Sequence, residues 1–292
     1  MNALEVKSLK KSYEGFSLKD VSFQIPQGYI MGFVGENGAG KTTTIKAMLN
    51  IISKNDGSVK ILGKDMDQNE LDIKGQIGYV SGEYFYPKKK LYEITKVYKR
   101  FFDNWDDTVY QKFLKDFNLN EKKTIDELSK GMKMKYALSL ALSHHAKLLI
   151  LDEPTSGMDP VARDNLLEIF QELVEDGDIS ILYSTHITSD LEKCADYVTF
   201  IQDGQIIESC SKEDLLENYQ LFNTSKDHMD KLQGKVIAFK ENAFGVNGLI
   251  DKDKIINHTD IQYARPTIDD VIIYFSERRL QQWKTYYTKN LH

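Results

Sequence analysis

The sequence is poor in cysteine, in long apolar runs and in surplus positive charge. Only two of its 292 residues are cysteine, Cys194 and Cys210, which indicates a reducing cytoplasm and ordinary thiols. No segment has the apolar length that crosses a bilayer, and the first residues lack the apolar core of a signal peptide. The formal net charge of −6 argues against nucleic acid as the main partner.

The composition is otherwise that of a soluble globular protein. Apolar residues make up 41% of the chain and charged residues 28%. The length predicts one large domain or two, with a substantial core. We find no internal repeat and no low-complexity tract.

The most informative stretch lies between residues 29 and 49. The apolar run Tyr29–Val34 predicts a buried strand, and Thr43–Leu49 predicts a helix. Between them, Gly35–Thr42 matches the pattern G-x-x-x-x-G-K-[ST] of a phosphate-binding loop. The alternative is a glycine-rich turn before an ordinary helix. It is disfavoured because the strand and the helix stand where a phosphate-binding loop needs them.

A loop of this kind suits a polyphosphate on physical grounds. Glycines let the backbone curl so that N–H groups point at phosphate oxygens. The helix N-terminus adds unpaired donors and the positive end of its dipole. Lys41 would reach the β- and γ-phosphates, and the Thr42 hydroxyl would be a ligand for Mg²⁺. The other loop residues predicted to bind nucleotide are Asn37, Gly38, Gly40 and Thr43.

Periodicity divides the first half of the chain. The alternating segments Leu4–Val6 and Val21–Ile25 predict antiparallel strands on either side of a polar loop, Lys10–Gly15. From about residue 82 to residue 146, apolar residues recur at helical spacing. This spacing predicts an inserted helical subdomain.

The second half alternates strand and helix patterns after residue 147, which predicts a mainly parallel sheet. The last 70 or so residues read differently, and Thr267 is predicted to cap a final helix there. We therefore expect an α/β nucleotide-binding domain over residues 1–220. A small α+β accessory domain is expected over residues 221–292.

Two further polar positions close predicted strands of this sheet. The apolar run Leu148–Leu151 ends in Asp152 and Glu153, and such carboxylates face the ligand crevice of parallel sheets. Asp152 would hold Mg²⁺ and Glu153 would polarise the attacking water. The alternative is a pair of solvated residues at a strand end. His186 closes the next strand, either as a hydrogen-bond donor to a γ-phosphate or as an ordinary loop histidine.

Together these residues resemble the nucleotide-binding subunit of an ATP-binding-cassette (ABC) transporter. In chain order, the blocks that resemble family motifs are Walker A (Gly35–Thr42), the signature (Leu128–Met132), Walker B (Leu148–Glu153), the D-loop (Ser156–Asp159) and the switch histidine (His186). The resemblance implies a P-loop NTPase fold: a mainly parallel sheet, an antiparallel β subdomain and an inserted helical subdomain. It also implies ATPase activity with ATP and Mg²⁺.

The resemblance implies a composite site as well. In this family each nucleotide lies between the Walker A motif of one subunit and the signature of another. Ser129 and the Gly131 N–H would then contact the γ-phosphate bound to the partner, while a plain helix N-cap is the alternative for Ser129. Asp159 would act across the interface. Tyr13 stands where the family stacks an aromatic ring on adenine, unless it is an ordinary surface tyrosine.

The chain departs from the family pattern at two places. Lys130 and Met132 replace the glycine and the glutamine of the usual Leu-Ser-Gly-Gly-Gln signature. The glutamine that normally joins Mg²⁺ and the attacking water to the helical subdomain is missing. Glu83 stands there instead, as a substitute metal or water ligand or as an exposed loop residue. These departures bear on hydrolysis and coupling more than on nucleotide binding.

Local similarities narrow the resemblance to ATPases of small ABC-2-type exporters from Gram-positive bacteria, with the phenol-soluble modulin exporters favoured. They lie in Phe102–Trp105, Leu128–Met132, Asp159–Arg163 and Ser184–Ile187. This implies an ATPase at the cytoplasmic face of the membrane that powers export of a small peptide, toxin or amphipathic drug-like substrate.

The resemblance implies two partners. One is a separate transmembrane permease subunit, docked at a groove around Glu83–Tyr86 and the helices after it, unless the aromatic residues there belong to the core of the helical subdomain. The other is a second ATPase subunit, identical or different. The rival interpretation is a soluble ABC ATPase that acts on ribosomes or DNA. A single cassette, the lack of heptads and the lack of a basic tail argue against it.

Overall fold

The computed structural model describes residues 1–81 and 87–277. The chain divides into two compact units, one over residues 1–209 and one from residue 210 onward. We describe each unit by itself. No helix in the described ranges combines the length and the apolar character that a membrane span needs.

The first unit begins with an antiparallel sheet in the order β2-β1-β4-β5. Its strands are β1 (Asn2–Tyr13), β2 (Phe16–Pro26), β4 (Asp56–Ile61) and β5 (Lys64–Asp65). In β2, Val21, Phe23 and Ile25 are buried, while the residues between them are exposed, as alternation predicts. The expected polar loop Lys10–Gly15 is wrong in part. β1 and β2 remain paired as far as Tyr13 and Phe16, because backbone pairing does not require apolar side chains.

A six-stranded sheet in the order β10-β9-β3-β8-β7-β6 forms the centre of this unit. Its strands are β3 (Ile30–Val34), β6 (Ile77–Val80), β7 (Leu148–Asp152), β8 (Ser180–Thr185), β9 (Tyr197–Gln202) and β10 (Gln205–Ser211). The neighbours from β9 to β6 pair in parallel, which confirms the predicted sheet type. Every residue of β3, β7 and β8 is buried, as expected for a sheet covered on both faces.

Four helices accompany this sheet: α1 (Lys41–Met48), α2 (Glu70–Lys74), α6 (Pro160–Val174) and α7 (Thr188–Cys194). Helix α1 contributes Ile45, Ala47 and Met48 to an apolar core that it shares with both sheets. Gly32 of β3 permits a close approach of α7, because a Cβ at that position would collide with Leu191. These contacts fix α1 and α7 at the edge where the parallel strands end.

The predicted helical subdomain contains α3 (Leu91–Tyr98), α4 (Asp107–Asp116) and α5 (Lys130–Ser143), with a core of their apolar faces. A buried chain of hydroxyls crosses this core. The Thr95 hydroxyl lies 2.8 Å from both the Tyr110 and the Tyr136 hydroxyls, and Tyr136 donates to the Leu91 carbonyl at 3.0 Å. Because Tyr136 uses its only proton there, Thr95 donates to Tyr136 and Tyr110 donates to Thr95. The chain joins all three helices through satisfied polar groups.

The second unit is a small α+β structure. It comprises α8 (Lys212–Asn218), β11 (Tyr219–Thr224), β12 (Val236–Asn242), β13 (Gly245–Asp251), β14 (Ile261–Ala264) and a helix described over residues 268–277. The sheet is antiparallel in the order β12-β13-β11-β14 and packs around Phe222. Thr267 caps the last helix, since its hydroxyl accepts from the Asp270 N–H at 3.1 Å. Helix α8 precedes residue 220 but contacts β11, which is why this unit begins at residue 210.

His144 follows the last residue of α5 and is fully buried. Its ring stacks on Phe102, with centroids 3.8 Å apart and planes 12° apart. Burial lowers the pKa of His144 from 6.5 to about 4, with a smaller contribution in the same direction from the neighbouring His145. The imidazole is therefore neutral in the folded protein at neutral pH.

This shift predicts a specific loss of stability in acid. In the unfolded chain His144 binds a proton near pH 6.5, whereas the folded protein resists protonation until about pH 4. Its contribution is complete above pH 6.5 and disappears as the pH falls through that interval. Between pH 7.5 and pH 5 we expect a loss of about 2 kcal/mol from this group. The measurement is the free energy of urea unfolding at both pH values, and the loss should shrink by that amount in His144→Phe.

His145→Gln is the matched control, because His145 is solvent-exposed. Its stability should fall with pH as in the unsubstituted protein. Equal pH dependence of the unsubstituted protein and His144→Phe would show that burial of His144 does not shift its titration.

Candidate nucleotide-binding site

The loop between β3 and α1 encloses a cavity at the carboxyl edge of the parallel sheet. Gly40 has φ +115°, a left-handed conformation that glycine adopts without strain, and it directs the chain into Lys41 at the start of α1. The cavity has a volume of about 410 Å³. Its lining residues are Phe16, Glu36, Asn37, Gly38, Gly40, Lys41, Thr42, Thr43 and Glu153. Every loop residue predicted to bind nucleotide therefore faces one space.

Lys41, Glu153 and His186 form a continuous chain of contacts. The Lys41 side chain is only 5% exposed, and its ammonium lies 3.2 Å from Glu153 Oε1. It also donates to the Gly35 and Glu36 carbonyls at 2.7 and 3.3 Å. Glu153 Oε2 lies 2.8 Å from His186 Nδ1, and this nitrogen carries the proton because a carboxylate only accepts. The three predicted residues are thus brought together by different segments of the chain.

Asp152 is the centre of a second set of contacts. It is buried at the end of β7, where Oδ2 accepts from the Thr42 hydroxyl at 2.8 Å and Oδ1 accepts from the Ser184 hydroxyl at 2.5 Å. Ser184 lies directly opposite Asp152 in the parallel register of β7 and β8. Our sequence analysis assigned no role to Ser184. Its position two residues before His186, at the end of a buried strand, was the available signal.

The backbone of Glu153 is held in an unusual conformation. Its φ is +52°, a left-handed value that costs a non-glycine residue of order 1 kcal/mol or more. The Glu153 N–H is directed at Ser184, lying 3.0 Å from its hydroxyl and 3.2 Å from its carbonyl oxygen. Ser184 therefore positions both carboxylates, Asp152 through its hydroxyl and Glu153 through the backbone. The turn points the Glu153 side chain back towards Lys41.

The donor set fits Mg²⁺. The Thr42 hydroxyl and the Asp152 carboxylate are hard oxygen ligands and lie side by side. The described residues contain no cluster of three or more histidine, cysteine or acidic residues that would hold a metal alone. Mg²⁺ usually takes one or two protein ligands and completes its shell with water and phosphate, so Thr42 and Asp152 would be enough to hold it.

Tyr79 is a residue near this site that the sequence analysis did not identify. It lies on β6, next to β7, and its buried hydroxyl has no hydrogen-bond partner among the described residues. Burial, and to a smaller extent the charge of Asp152, raises the pKa of Tyr79 to about 12. The hydroxyl therefore stays protonated, which leaves an unpaired donor under the influence of the predicted metal ligand.

The predicted signature and D-loop residues do not line the loop cavity among the described residues. The Ser129 hydroxyl accepts from the Met132 N–H at 3.2 Å and caps α5, so the plain N-cap role is present. Asp159 caps α6 by accepting from the Ala162 N–H at 3.0 Å. Gly131 lies in the first turn of α5, where an added Cβ would stand 3.4 Å from Ala162. Their action across an interface remains a prediction.

Tyr13 and Glu83 are the two remaining predicted site residues. Tyr13 ends β1 opposite Phe16, is 48% exposed, and has the Lys11 ammonium 5.0 Å from its ring centre. Phe16, rather than Tyr13, lines the loop cavity, so Phe16 offers an aromatic surface that the sequence analysis missed. Glu83 lies outside the described residues, and its predicted metal role stays a prediction.

A buried ion pair connects the segments that carry Glu153 and His186. Asp190 of α7 is fully buried and accepts from the Thr155 hydroxyl at 2.7 Å and from Arg163 Nε of α6. Arg163 also donates through Nη2 to the Ser189 hydroxyl at 2.6 Å. Thr155 follows Glu153 by two residues, and Asp190 follows His186 by four. The pair therefore fixes the two functional segments relative to each other.

Removing the cation of this pair should be costly. In Arg163→Met the buried Asp190 carboxylate keeps only neutral partners, and we expect the free energy of unfolding to fall by about 3 kcal/mol or more. The matched control is Lys193→Met, because the Lys193–Asp164 pair joins the same two helices on the protein surface. That change should cost less than about 1 kcal/mol. The measurement is the free energy of unfolding by chemical denaturation. Equal losses in Arg163→Met and Lys193→Met would show that burial of Asp190 does not make its ion pair more important than the surface pair.

The sequence is similar to those of known ATP-binding proteins. The ABC transporter family model matches residues 18–156. The lantibiotic transport ATP-binding protein SrtF of Streptococcus pyogenes is 33% identical over 228 residues, which cover 75% of this chain and 98% of SrtF. The ABC transporter ATP-binding protein YtrB of Bacillus subtilis (strain 168) is 30% identical over 218 residues, covering 74% of each chain.

The fold comparison agrees. A solved structure of an ATP-binding subunit of an ABC transporter superposes with a TM-score of 0.65 and 28% identity, covering 73% of this chain and 91% of that one. The predicted resemblance and the P-loop fold are thus confirmed. The chain belongs to the ABC transporter family and is one of its ATP-binding subunits, which are ATPases.

Proposed function

We propose that this chain hydrolyses ATP to power export through a separate membrane subunit. The observation that carries the proposal is the contact chain from Lys41 through Glu153 to His186 at the edge of the parallel sheet. In this chain the Lys41 ammonium contacts the Glu153 carboxylate, which in turn contacts the His186 imidazole. Such a set suits transfer of a phosphoryl group to water.

In the proposed reaction, the loop N–H groups and Lys41 bind the β- and γ-phosphates. A water attacks the γ-phosphorus, the bond to the ADP oxygen breaks, and Glu153 accepts a proton from that water. His186, with its Nδ1 proton held by Glu153, orients the carboxylate. Thr42 and Asp152 would hold Mg²⁺, which supplies charge stabilisation when bound.

A second ATPase subunit, identical or different, completes the proposed site. Ser129 is exposed at the start of α5, with its hydroxyl and the neighbouring N–H groups at a helix N-terminus. This arrangement supports capping of a γ-phosphate that is bound to a partner. We propose that Gly131 and Asp159 act at the same interface, and that Tyr13 contacts adenine.

An apolar groove in the helical subdomain supports docking of a membrane subunit. The groove has a volume of about 580 Å³, and its apolar surface includes Tyr92, Val97 and Phe101, of which Val97 is 55% and Phe101 is 77% exposed. Exposed apolar residues that cluster in a groove typically mark a binding surface. The predicted Glu83–Tyr86 part of the docking surface lies outside the described residues.

For the cargo we propose a small amphipathic peptide, toxin or drug-like molecule. SrtF is a lantibiotic transport ATP-binding protein, and the similarity to it supports this class. The subgroup of modulin exporters stays a proposal that rests on local sequence similarity. We place the subunit at the cytoplasmic face of the membrane, held there by its partner.

The catalytic assignment predicts separate phenotypes for two variants. Glu153→Gln removes the proton acceptor but keeps the size of the side chain, so the rate of ATP hydrolysis should fall about 100-fold or more while ATP still binds. Lys41→Ala should lose ATP binding instead. Phosphate release and binding of a fluorescent ATP analogue measure the two effects. Full turnover by Glu153→Gln would remove Glu153 as the base.

The docking assignment predicts a loss of assembly without a loss of nucleotide binding. Val97→Asp combined with Phe101→Asp charges the groove, because both side chains are exposed in it. Recovery of a multi-span membrane protein with the tagged subunit should fall at least tenfold. Leu71→Asp is the control, since Leu71 is 89% exposed on α2. If the double variant recovers as much membrane protein as Leu71→Asp does, the docking assignment is wrong. If the tagged subunit recovers ribosomes or DNA instead of a membrane protein, the export function is wrong.

A further inference from the structure

The second unit contains a cavity of its own, lined by its antiparallel sheet and its last helix. The cavity has a volume of about 370 Å³. The sheet contributes Asn223 from β11, Asn247 from β13 and Gln262 from β14. The helix contributes Asp270 and Tyr274. None of these residues lines the loop cavity of the nucleotide site.

The three amide residues form one row across the sheet. Asn223 pairs directly with Asn247 on one side and with Gln262 on the other, in antiparallel register. Directly paired residues point to the same face of a sheet, so the three side chains lie next to one another. Asparagine is depleted in strands. Sheet stability therefore does not account for two asparagines in directly paired positions.

The amides of this row are available to a ligand. In residues 1–81 and 87–277, the side chains of Asn223 and Gln262 have no hydrogen-bond partner. The Asn247 side-chain oxygen accepts from Asn242 at 3.3 Å, a bond that leaves the Asn247 amide N–H groups to the cavity. The row thus offers both donors and acceptors, since each amide carries one carbonyl and two N–H groups.

Tyr274 adds a buried hydroxyl to the cavity. The residue is only 9% exposed, yet its hydroxyl has no hydrogen-bond partner within the described part of the chain. Buried polar groups are normally paired, so this one indicates a missing partner. Burial raises the pKa of Tyr274, with smaller contributions from the charges of Asp270 and Glu277. The hydroxyl therefore stays protonated and can donate.

The charges around the cavity favour a neutral ligand. Asp270 Oδ2 accepts from the Thr267 N–H at 2.9 Å and from its hydroxyl at 2.7 Å, and the helix dipole offsets the carboxylate charge there. Lys240, with its ammonium 6.0 Å from the centre of the Tyr274 ring, pairs with Glu277 at 3.1 Å. Of the described residues, no lysine, arginine or histidine lines the cavity. An anion would meet no cation here, and an ammonium group would meet a carboxylate that is already bonded.

We propose that this cavity binds a neutral ligand with several hydroxyl groups, of the size of one sugar ring. Hydroxyls both donate and accept, as the amide row does, and one of them would accept from Tyr274. The volume lies near the lower end of the range of about 300 to 1,000 Å³ for small-molecule sites, which suits a monosaccharide or a cyclitol. The proposal goes beyond the ATPase function and gives the second unit a ligand of its own.

The test follows side-chain amide signals by nuclear magnetic resonance in the isotope-labelled full chain. The probes are glucose, galactose, mannose, N-acetylglucosamine and myo-inositol, each titrated to millimolar concentration. With at least one probe, the signals of Asn223, Asn247 and Gln262 should shift saturably. Asn223→Ala and Tyr274→Phe should each weaken binding about fivefold, because each removes neutral hydrogen bonds. Gln220→Ala is the matched control, since this amide lies on the same strand and does not line the cavity.

Glucosamine and glucose 6-phosphate test the charge of the ligand. They carry an ammonium group or a phosphate on the ring of glucose. Tighter binding of either one than of every neutral probe, at the same amide signals, would overturn the proposal. Two other results would do so: no saturable shift with any neutral probe, or equal weakening in Gln220→Ala and Asn223→Ala. Backbone signals of the second unit report whether each variant is folded.

These measurements are independent of ATP hydrolysis. If the chain hydrolyses ATP but its amide row binds none of the neutral probes, the inference is wrong and the ATPase function stands. If the chain hydrolyses no ATP, the proposed function fails while the titrations still decide whether the second unit binds its ligand.

Discussion

The site depends on the parallel register between β7 and β8. This register sets Asp152 directly opposite Ser184, and Ser184 then binds both the Asp152 carboxylate and the Glu153 backbone. Because the Glu153 backbone is left-handed, its side chain turns towards Lys41 and His186. A shift of one residue in the pairing would turn Asp152 and Ser184 to opposite faces and break the contacts of Ser184 with Asp152 and with the Glu153 backbone.

Much of this arrangement was predictable from local sequence. The phosphate-binding loop lies between a buried strand and a helix. As periodicity indicates, Asp152 ends one apolar strand of the parallel sheet and His186 directly follows the next, so both lie at the same edge. The helical subdomain followed from its spacing. The loop, the strand ends and the helices could be predicted because each depends on backbone geometry and burial over only a few neighbouring residues.

What could not be predicted depends on long-range contacts. Phe16 reaches the loop cavity because it pairs with Tyr13 at the end of a hairpin. The polar residues of that hairpin do not show in the sequence how far the two strands stay paired. Ser184 contacts Asp152 because β7 and β8 are neighbours in the sheet. Tyr79 matters because its side chain is buried close to Asp152. Lys130 looked like a change in a motif that faces a partner, and only the folded chain brings it to Gly157.

The buried pair of Asp190 and Arg163 has a mechanical consequence. It clamps α7, which follows His186, to α6, whose first turn is capped by Asp159. Thr155 attaches the segment after Glu153 to the same clamp. Because the Asp190 carboxylate is fully buried and bonded to both Arg163 and Thr155, we expect the three segments to keep their relative positions and to move together rather than as separate loops.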